Sequence, residues 1–454
     1  MSSDRPELVR IGIGLLSGFL NPPERLKGYG PFIADLHRLI ADGPAAADFA
    51  ERAERAVNGE ASTRLIELVP SYRVKRTGAF FTSSELSLRV AEAVTGLRNP
   101  GAGWIVDPAC GAGNLLLAAA KKMPVETSLV ATLTAWGQRL AGFDLHRGFI
   151  QATHLRLALL AQSRGAVFDI PPRCSLESFF PQIRHGDGLR ALARLSPITH
   201  LVVNPPFAAV MSPKRCRWAK GRVTKAAVFF ERCLEMLPPE AAVSAILPDV
   251  LRSGSRYQRW REAMEKLAEV RSVRTVGNFR TADIDVFHLQ MCRIGTHQVR
   301  RQLQGVWWSK RAVRTKIADK FAVHVGAVVP HRLKPAEGPV SPYLHAKHVP
   351  HWGEYRAGLE TVAFAGRRFS PPFVVIRRTS SPTDQFRALG TLILGDQPVA
   401  VENHLLVCLP RFGGLEECRR LLAHLRAPRI NRFLNSRIRC RHLTVGVVRE
   451  IPLP

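Results

Sequence analysis

The chain has no apolar run long enough to cross a bilayer. A spanning helix needs about 20 consecutive apolar residues, and the most apolar stretch near the start, Leu8 to Leu20, is shorter and broken by glycine. It has no small-residue cleavage site either, which speaks against a secretory leader, and it reads as an amphipathic helix or strand. Cysteine is sparse and scattered: eight residues, with no Cys-x-x-Cys pair and no regular spacing. That pattern indicates neither a zinc site nor a disulfide framework, and the expectation is reduced thiols in the cytoplasm. Internal repeats and low-complexity segments are missing, so a repeat architecture is excluded. Acidic residues are scarce beside basic ones, 37 Asp and Glu against 65 Lys and Arg, for a formal net charge of +28.

That surplus exceeds what solubility requires. A polyanionic partner explains it, because each phosphate neutralised releases condensed counterions. Arginines outnumber lysines, which suits forked contacts to phosphate and to guanine edges, although a GC-rich genome alone also raises arginine content. Hydrophobic residues make up 46% of the 454 residues and the mean hydropathy is near zero, so packed cores are expected and a membrane protein is not. The length suggests two domains with an N-terminal appendage.

Residues 1–70 read as helical, with Ala-rich charged segments such as Ala45 to Val57 closed by Asn58-Gly59. Then strands and helices alternate as in a parallel α/β sheet. Trp104-Ile105-Val106 is a short strand ending in Asp107, followed by a Gly-bearing turn and a helix from Leu115 to Lys122. Leu140 to Phe143 is a second strand ending in Asp144, with a helix through Ile150 to Ala161 behind it. His200 to Val203 is a third, ending at Asn204; Phe229 to Leu237 is helical, and Ala241 to Leu247 is a buried strand. From about residue 300 prolines and glycines cluster and short β-like runs appear, Phe373 to Arg378 and His404 to Leu409. The domain boundary is expected between Thr296 and Gln304.

Two motifs carry chemistry. Asp107-Pro108-Ala109-Cys110-Gly111-Ala112-Gly113-Asn114 lies between a strand and a helix, where glycines let the backbone approach a ligand at the carboxyl edge of a sheet. Asn204-Pro205-Pro206-Phe207 also follows a strand directly. An exocyclic amine on a nucleobase is a poor nucleophile because its lone pair is delocalised into the ring. Two acceptors, the Asn204 side-chain oxygen and the Pro205 carbonyl, would hold its hydrogens and concentrate the lone pair toward an electrophile. Pro205 and Pro206 stiffen the loop, and Phe207 supplies a ring face for stacking a base. Asp144, at a strand end, is placed to accept from ribose hydroxyls, or serves as a helix N-cap.

Together these motifs resemble the gamma-type N6-adenine DNA methyltransferases of restriction–modification systems. The resemblance implies an α/β fold, a Rossmann-like S-adenosylmethionine-dependent methyltransferase sheet with a C-terminal α+β target-recognition domain. Its cofactor residues would be Thr82, Asp107, Ala109, Gly111, Gly113, Asp144 and Asp187. Asp187, in His185-Gly186-Asp187-Gly188-Leu189, matches the family position that accepts from the cofactor adenine amine, and as a plain residue is a turn aspartate. Gly78-Ala79-Phe80-Phe81-Thr82 resembles the segment that usually reads Gly-x-Phe-Tyr-Thr-Pro and meets the cofactor's methionine end; Ser83 replaces the proline, and Thr82 could equally cap the helix Glu85 to Val94. Asp283 to Met291 resembles the second wall of the base pocket, with Phe287 the candidate or else an ordinary core residue. Pro342-Tyr343-Leu344-His345 and the chain end look like target-recognition domains.

The resemblance divides the chain into 1–70, a helical region; 71–300, the catalytic domain; and 301–454, the DNA target-recognition domain. It implies double-stranded DNA as partner, a cognate restriction or defence subunit as an option, and no membrane. Rival readings are an RNA N2-guanine methyltransferase, which also uses Asn-Pro-Pro-Phe, a protein glutamine methyltransferase, and a catalytically inactive DNA-binding subunit. The Asp-Pro-Ala-Cys-Gly loop, the upstream Gly-Ala-Phe-Phe-Thr segment and the separate C-terminal domain speak against the first, the charge against the second, and the intact Asn204 to Phe207 against the third. A fused nuclease has no Asp…Glu-x-Lys cluster to support it. Arg377, Arg378, Arg437, Arg439 and Arg441 are basic residues of the last third that read either as phosphate or base contacts or as a solvated face.

Overall fold

The structure, a computed structural model, describes residues 29–61, 63–64, 84–95, 103–279, 284–295, 307, 315–332 and 338–454. The chain divides into two compact units: Met1–Leu251 with Gln258–Val306, and Arg252–Tyr257 with Trp307–Pro454. The expected boundary at 296–304 lies outside the described residues. No helix among the described residues is long and apolar enough to cross a membrane. None of the eight cysteines is disulfide-bonded.

In the first unit the helices are α1 (Tyr29–Asp42), α2 (Phe49–Arg55), continued by a wider π turn (Ala56–Glu60), and α3 (Ser84–Thr95). Strand β1 (Trp104–Asp107) leads to α4 (Asn114–Ala120) and α5 (Leu129–Gly137), and β2 (Leu140–Asp144) to α6 (Arg147–Ser163) and α7 (Leu176–Phe179). Next come β3 (Ile183–His185), α8 (Gly188–Leu192), β4 (Ile198–Val203), the short strands β5 (Ala209–Met211) and β6 (Arg222–Thr224), and α9 (Lys225–Met236). The unit closes with β7 (Ala242–Pro248), α10 (Asp249–Ser253, whose last residues pass to the other unit), α11 (Gln258–Leu267), β8 (Ala268–Phe279) and β9 (Ile284–Arg293).

Seven strands form one sheet in the order β3-β2-β1-β4-β7-β9-β8. The first five run parallel, and β9 is antiparallel to both neighbours. Every residue of β7 is buried and β4 is nearly so, the continuous apolar pattern of strands covered on both faces. Helix α6 is buried almost all round, as its sequence demands: apolar residues occupy every face, so it needs cover on every side. It packs against α4, α5, β2 and β3, and also against α1 and α2. Residues 29–61 are therefore the outer cover of α6 within the same unit, where the sequence suggested a separate region.

The second unit holds β10 (Thr315–Lys316), α12 (Ile317–Lys320), β11 (Phe321–Val325), β12 (Val340–Leu344), β13 (Glu354–Arg356), β14 (Thr361–Ala363), β15 (Phe373–Arg377), β16 (Gly390–Leu394), β17 (Ala400–Val401) and β18 (Leu405–Pro410). Helices α13 (Gly414–Leu425), α14 (Pro428–Arg437) and α15 (Val445–Arg449) precede the last strand, β19 (Pro452–Leu453). A five-stranded sheet, β11-β18-β15-β16-β13, carries apolar residues on both faces. One face packs with α13, α14 and α15 around Val374, Ile376, Leu392 and Leu406; the other builds a second core around Phe373, Val375, Ile393 and Val407. The alternation of neighbouring residues between the two cores is the period-2 rule of a strand. The unit is α+β.

Candidate active site

In an open α/β sheet, ligands gather outside the carboxyl ends of the strands where the order reverses. Here the order leaves β1 toward β2 on one side and β4 on the other. Both chemistry-bearing motifs sit at that point: Asp107 ends β1, and Asn204 follows Val203, the last residue of β4. Asp144 ends β2, so the acidic ends of β1 and β2 are adjacent.

Backbone bonds fix the loop after β1. The Ala109 N–H donates to Asp107 Oδ1 at 3.0 Å, and the Gly111 N–H to Asp144 Oδ2 at 3.1 Å. Cys110 N–H reaches the Phe143 carbonyl at 3.0 Å. Gly113 enters α4 with φ of +86°, and a Cβ there would meet Thr153 Cγ2 at 2.6 Å; both conditions demand glycine. At Gly188 a Cβ would meet the Pro108 carbonyl oxygen at 1.8 Å, so the Gly186-Asp187-Gly188 turn lies directly against the loop. The structure thus brings together Asp107, Ala109, Gly111, Gly113, Asp144 and Asp187. Thr82 lies outside the described residues.

The carboxyl groups sit in an unusual field. Asp107 is 1% exposed, and burial pushes its pKa up to about 8, opposed by the Ala109 N–H and reinforced by Asp144. Asp144 is pushed up to about 6 by burial, with the His146 and Gly111 N–H groups pulling it back. Its Oδ1 accepts from His146 N–H at 2.9 Å, so it tethers the entry of α6 and the loop at once. Burial and both carboxyls hold the Cys110 thiol well above its ordinary range. Asp187 caps α8: its Oδ1 accepts from Leu189 N–H at 2.9 Å and Arg190 N–H at 3.4 Å.

Asn204 and Pro206 are half-buried and Pro205 is buried. Phe207 is 8% exposed, and its carbonyl accepts from Thr224 Oγ1 at 3.2 Å. Phe287 is wholly buried in β9, opposite Leu247 of β7, two residues beyond the level of Val203. It sits in the sheet core near the motif-bearing edge.

Two residues beneath the loop escaped the sequence reading. Thr153 of α6 donates to the Gly111 carbonyl at 3.2 Å. Arg156, on the same helix, is wholly buried. Its guanidinium donates to the Ala112 carbonyl, to Asn114 Oδ1 at 2.8 Å, and to the Ala56 and Val57 carbonyls of the π turn at 2.8 and 2.9 Å. The signal was present: an arginine inside an apolar helix, His154-Leu155-Arg156-Leu157, must find buried acceptors. Of the basic residues of the last third, Arg377 donates to the Val349 carbonyl at 2.8 Å, and Arg437 lies over the Phe433 ring at 5.5 Å. Arg441 is exposed and Arg439 half-exposed.

Three solved structures are similar in part. The type IIG restriction endonuclease BpuSI matches at 13% identity with a TM-score of 0.43, over 87% of this chain and 61% of that one. The methyltransferase subunit of a type I restriction–modification system from Streptococcus thermophilus matches at 16% identity and 0.34, over 51% and 49%. The M protein of the type I restriction enzyme EcoKI matches at 13% and 0.35, over 64% and 68%. No curated protein matches the chain. The family model of the N-6 DNA methylases matches residues 55–145. That stretch runs from the π turn through the loop after β1 to the end of β2, and it is there that the chain is similar to the N-6 DNA methylases.

Proposed function

We propose that the chain transfers a methyl group from S-adenosylmethionine to the N6 amine of adenine in double-stranded DNA, as a modification enzyme or as the methylase component of a defence system with a cognate subunit. The observation that carries it is Asn204-Pro205-Pro206-Phe207 at the end of β4, beside the strand that ends in the Asp107 loop. The residues fit the cofactor. Asp107, Asp144 and Asp187 lie at one sheet edge, where their oxygens suit hydroxyl and amine donors. S-adenosylmethionine supplies an electrophilic methyl on a sulfonium. Asp144 would accept from ribose hydroxyls, and Asp187 would face the adenine amine. Asn204 and the Pro205 carbonyl would hold the target amine, and Phe207 would stack the base. The second unit would read the DNA sequence.

Methyl transfer from labelled S-adenosylmethionine to duplex DNA tests this, with N6-methyladenine as product. Asn204→Ala should lower the rate by a factor of about 100–1,000, by analogy with one oxyanion-hole donor, while cofactor affinity stays. An Asn204→Ala protein with the wild-type rate, or transfer to RNA guanine instead, refutes the reading.

A further inference from the structure

Directly after Phe207 the chain leaves the sheet edge for a two-stranded hairpin separate from the seven-stranded sheet. Strands β5 and β6 pair antiparallel, with Ala209 opposite Thr224, Val210 opposite Val223 and Met211 opposite Arg222. Val223 is buried, whereas Ala209, Met211 and Arg222 are exposed. Side chains alternate across a strand, so one face turns inward at Val223 and the other presents Met211 and Arg222 together. Met211 is 56% exposed, among the few large apolar side chains so open.

The hairpin is held firmly. Ser212 N–H donates to the Gly221 carbonyl at 2.8 Å, extending the ladder, and Lys225 N–H to the Ala208 carbonyl at 2.7 Å closes its base. Trp218, near the tip, is 4% exposed and donates through Nε1 to Glu231 Oε2 of α9 at 2.8 Å. Thr224 Oγ1 bonds the Phe207 carbonyl, so the hairpin and the Asn204 loop share a backbone anchor. From Ala208 to Lys225 the chain carries six lysines and arginines and no Asp or Glu. Lys214, Arg215, Arg217, Lys220 and Arg222 are all exposed. Five exposed cations on one hairpin present a positive surface that suits a polyanion.

We infer that the β5–β6 hairpin is a DNA-gripping arm, whose exposed cations bind phosphates beside the target adenine while Met211 meets the apolar surface of the adjoining stack. The inference rests on the proposed function for the target, and it places a duplex-binding surface in the catalytic unit as well as in the second unit. Apolar residues such as methionine enter base steps in other duplex-bending proteins, and cations on a preset scaffold lose little entropy on binding.

A salt series of duplex DNA affinity tests it without relying on catalysis. The triple variant Lys214→Gln, Arg217→Gln, Arg222→Gln is compared with Arg38→Gln, Arg52→Gln, Arg55→Gln, which removes the same charge from α1 and α2. The hairpin variant should reduce the slope of log affinity against log salt by about 0.9 for each phosphate it no longer neutralises, up to three phosphates. It should raise KM for DNA about tenfold or more with S-adenosylmethionine affinity unchanged. The α1–α2 variant should keep the wild-type slope. Equal slopes in both variants, or a hairpin variant indistinguishable from wild type, overturn the inference. Tighter binding of stem-loop RNA than of duplex, abolished in the hairpin variant, also overturns it and puts RNA in the arm. A wild-type protein that binds DNA through the hairpin yet forms no N6-methyladenine would refute the proposed function alone.

Discussion

Each unit sets a wholly buried arginine against backbone carbonyls, and the two arginines do different work. In the first, Arg156 ties the loop after β1 to the π turn of residues 56–60. In the second, Arg387 donates to the Ile438 carbonyl, to the Cys440 carbonyl at 2.8 Å, to Asn435 Oδ1 at 3.0 Å and to Ser380 Oγ at 3.4 Å. Both satisfy the same physical requirement, because a buried guanidinium must spend its forked donors on acceptors. The difference is what lies above. Arg156 underlies a loop whose shape is the candidate cofactor site, so its bonds preset that site. Arg387 gathers the segment after α14 against the stretch that leads into β16.

The largest effect that sharpens this contrast is expected from Arg156→Met. Several buried acceptors lose their donor at about 1–3 kcal/mol each, so the first unit should lose at least about 3 kcal/mol in urea unfolding. In the folded fraction S-adenosylmethionine should bind roughly tenfold more weakly or worse, a shift of about 1.4 kcal/mol. Wild-type cofactor affinity in Arg156→Met would break the comparison. Arg387→Met should cost the second unit a similar stability, yet leave cofactor affinity within about twofold, since tenfold is already 1.4 kcal/mol; calorimetric titration reads both variants.

A further expected effect is one of pH. Asp107 is raised to about 8 and Asp144 to about 6 in the fold, against about 3.9 in an unfolded chain. Between about pH 4 and 8 the folded state holds protons that the unfolded chain has released, so stability contributed by these groups falls as pH rises. Asp107→Asn removes one such proton and keeps an acceptor for the Ala109 N–H. Its urea midpoint relative to wild type should climb as pH rises from about 4 to 8. A difference that stays flat across that range would show that Asp107 ionises in the fold at its ordinary pKa.

Strands β1, β2, β4 and β7 were legible because each is a short apolar run ended by a polar residue or a proline. Their motifs were legible because Asp107-Pro108-Ala109-Cys110-Gly111 and Asn204-Pro205-Pro206-Phe207 are contiguous. β3 went unread: three residues, two of them exposed, carry no periodicity. The long strand β8 was hidden for another reason. Its pairing with β9 slips near Val270–Ser272 and Thr275–Gly277, and a bulge breaks the alternation on which strand recognition depends. The hairpin β5–β6 has only three residues per strand and gains its form from Trp218 and Thr224, whose partners lie elsewhere in the chain. For Arg156 the burial was legible but the partners were not, since its π-turn acceptors stand 100 and 99 residues away.

The π turn at Ala56–Glu60 has an evolutionary consequence. A π turn is an α-helical stretch carrying one residue more than the ladder needs. Losing a single residue there would let α2 continue as an ordinary helix, which the local sequence could tolerate. It would also rotate the Ala56 and Val57 carbonyls away from Arg156, the residue that ties them to the loop after β1. Surface helices usually accept small insertions and deletions at their ends. This one is under a length constraint to the single residue, set by a guanidinium buried beneath it.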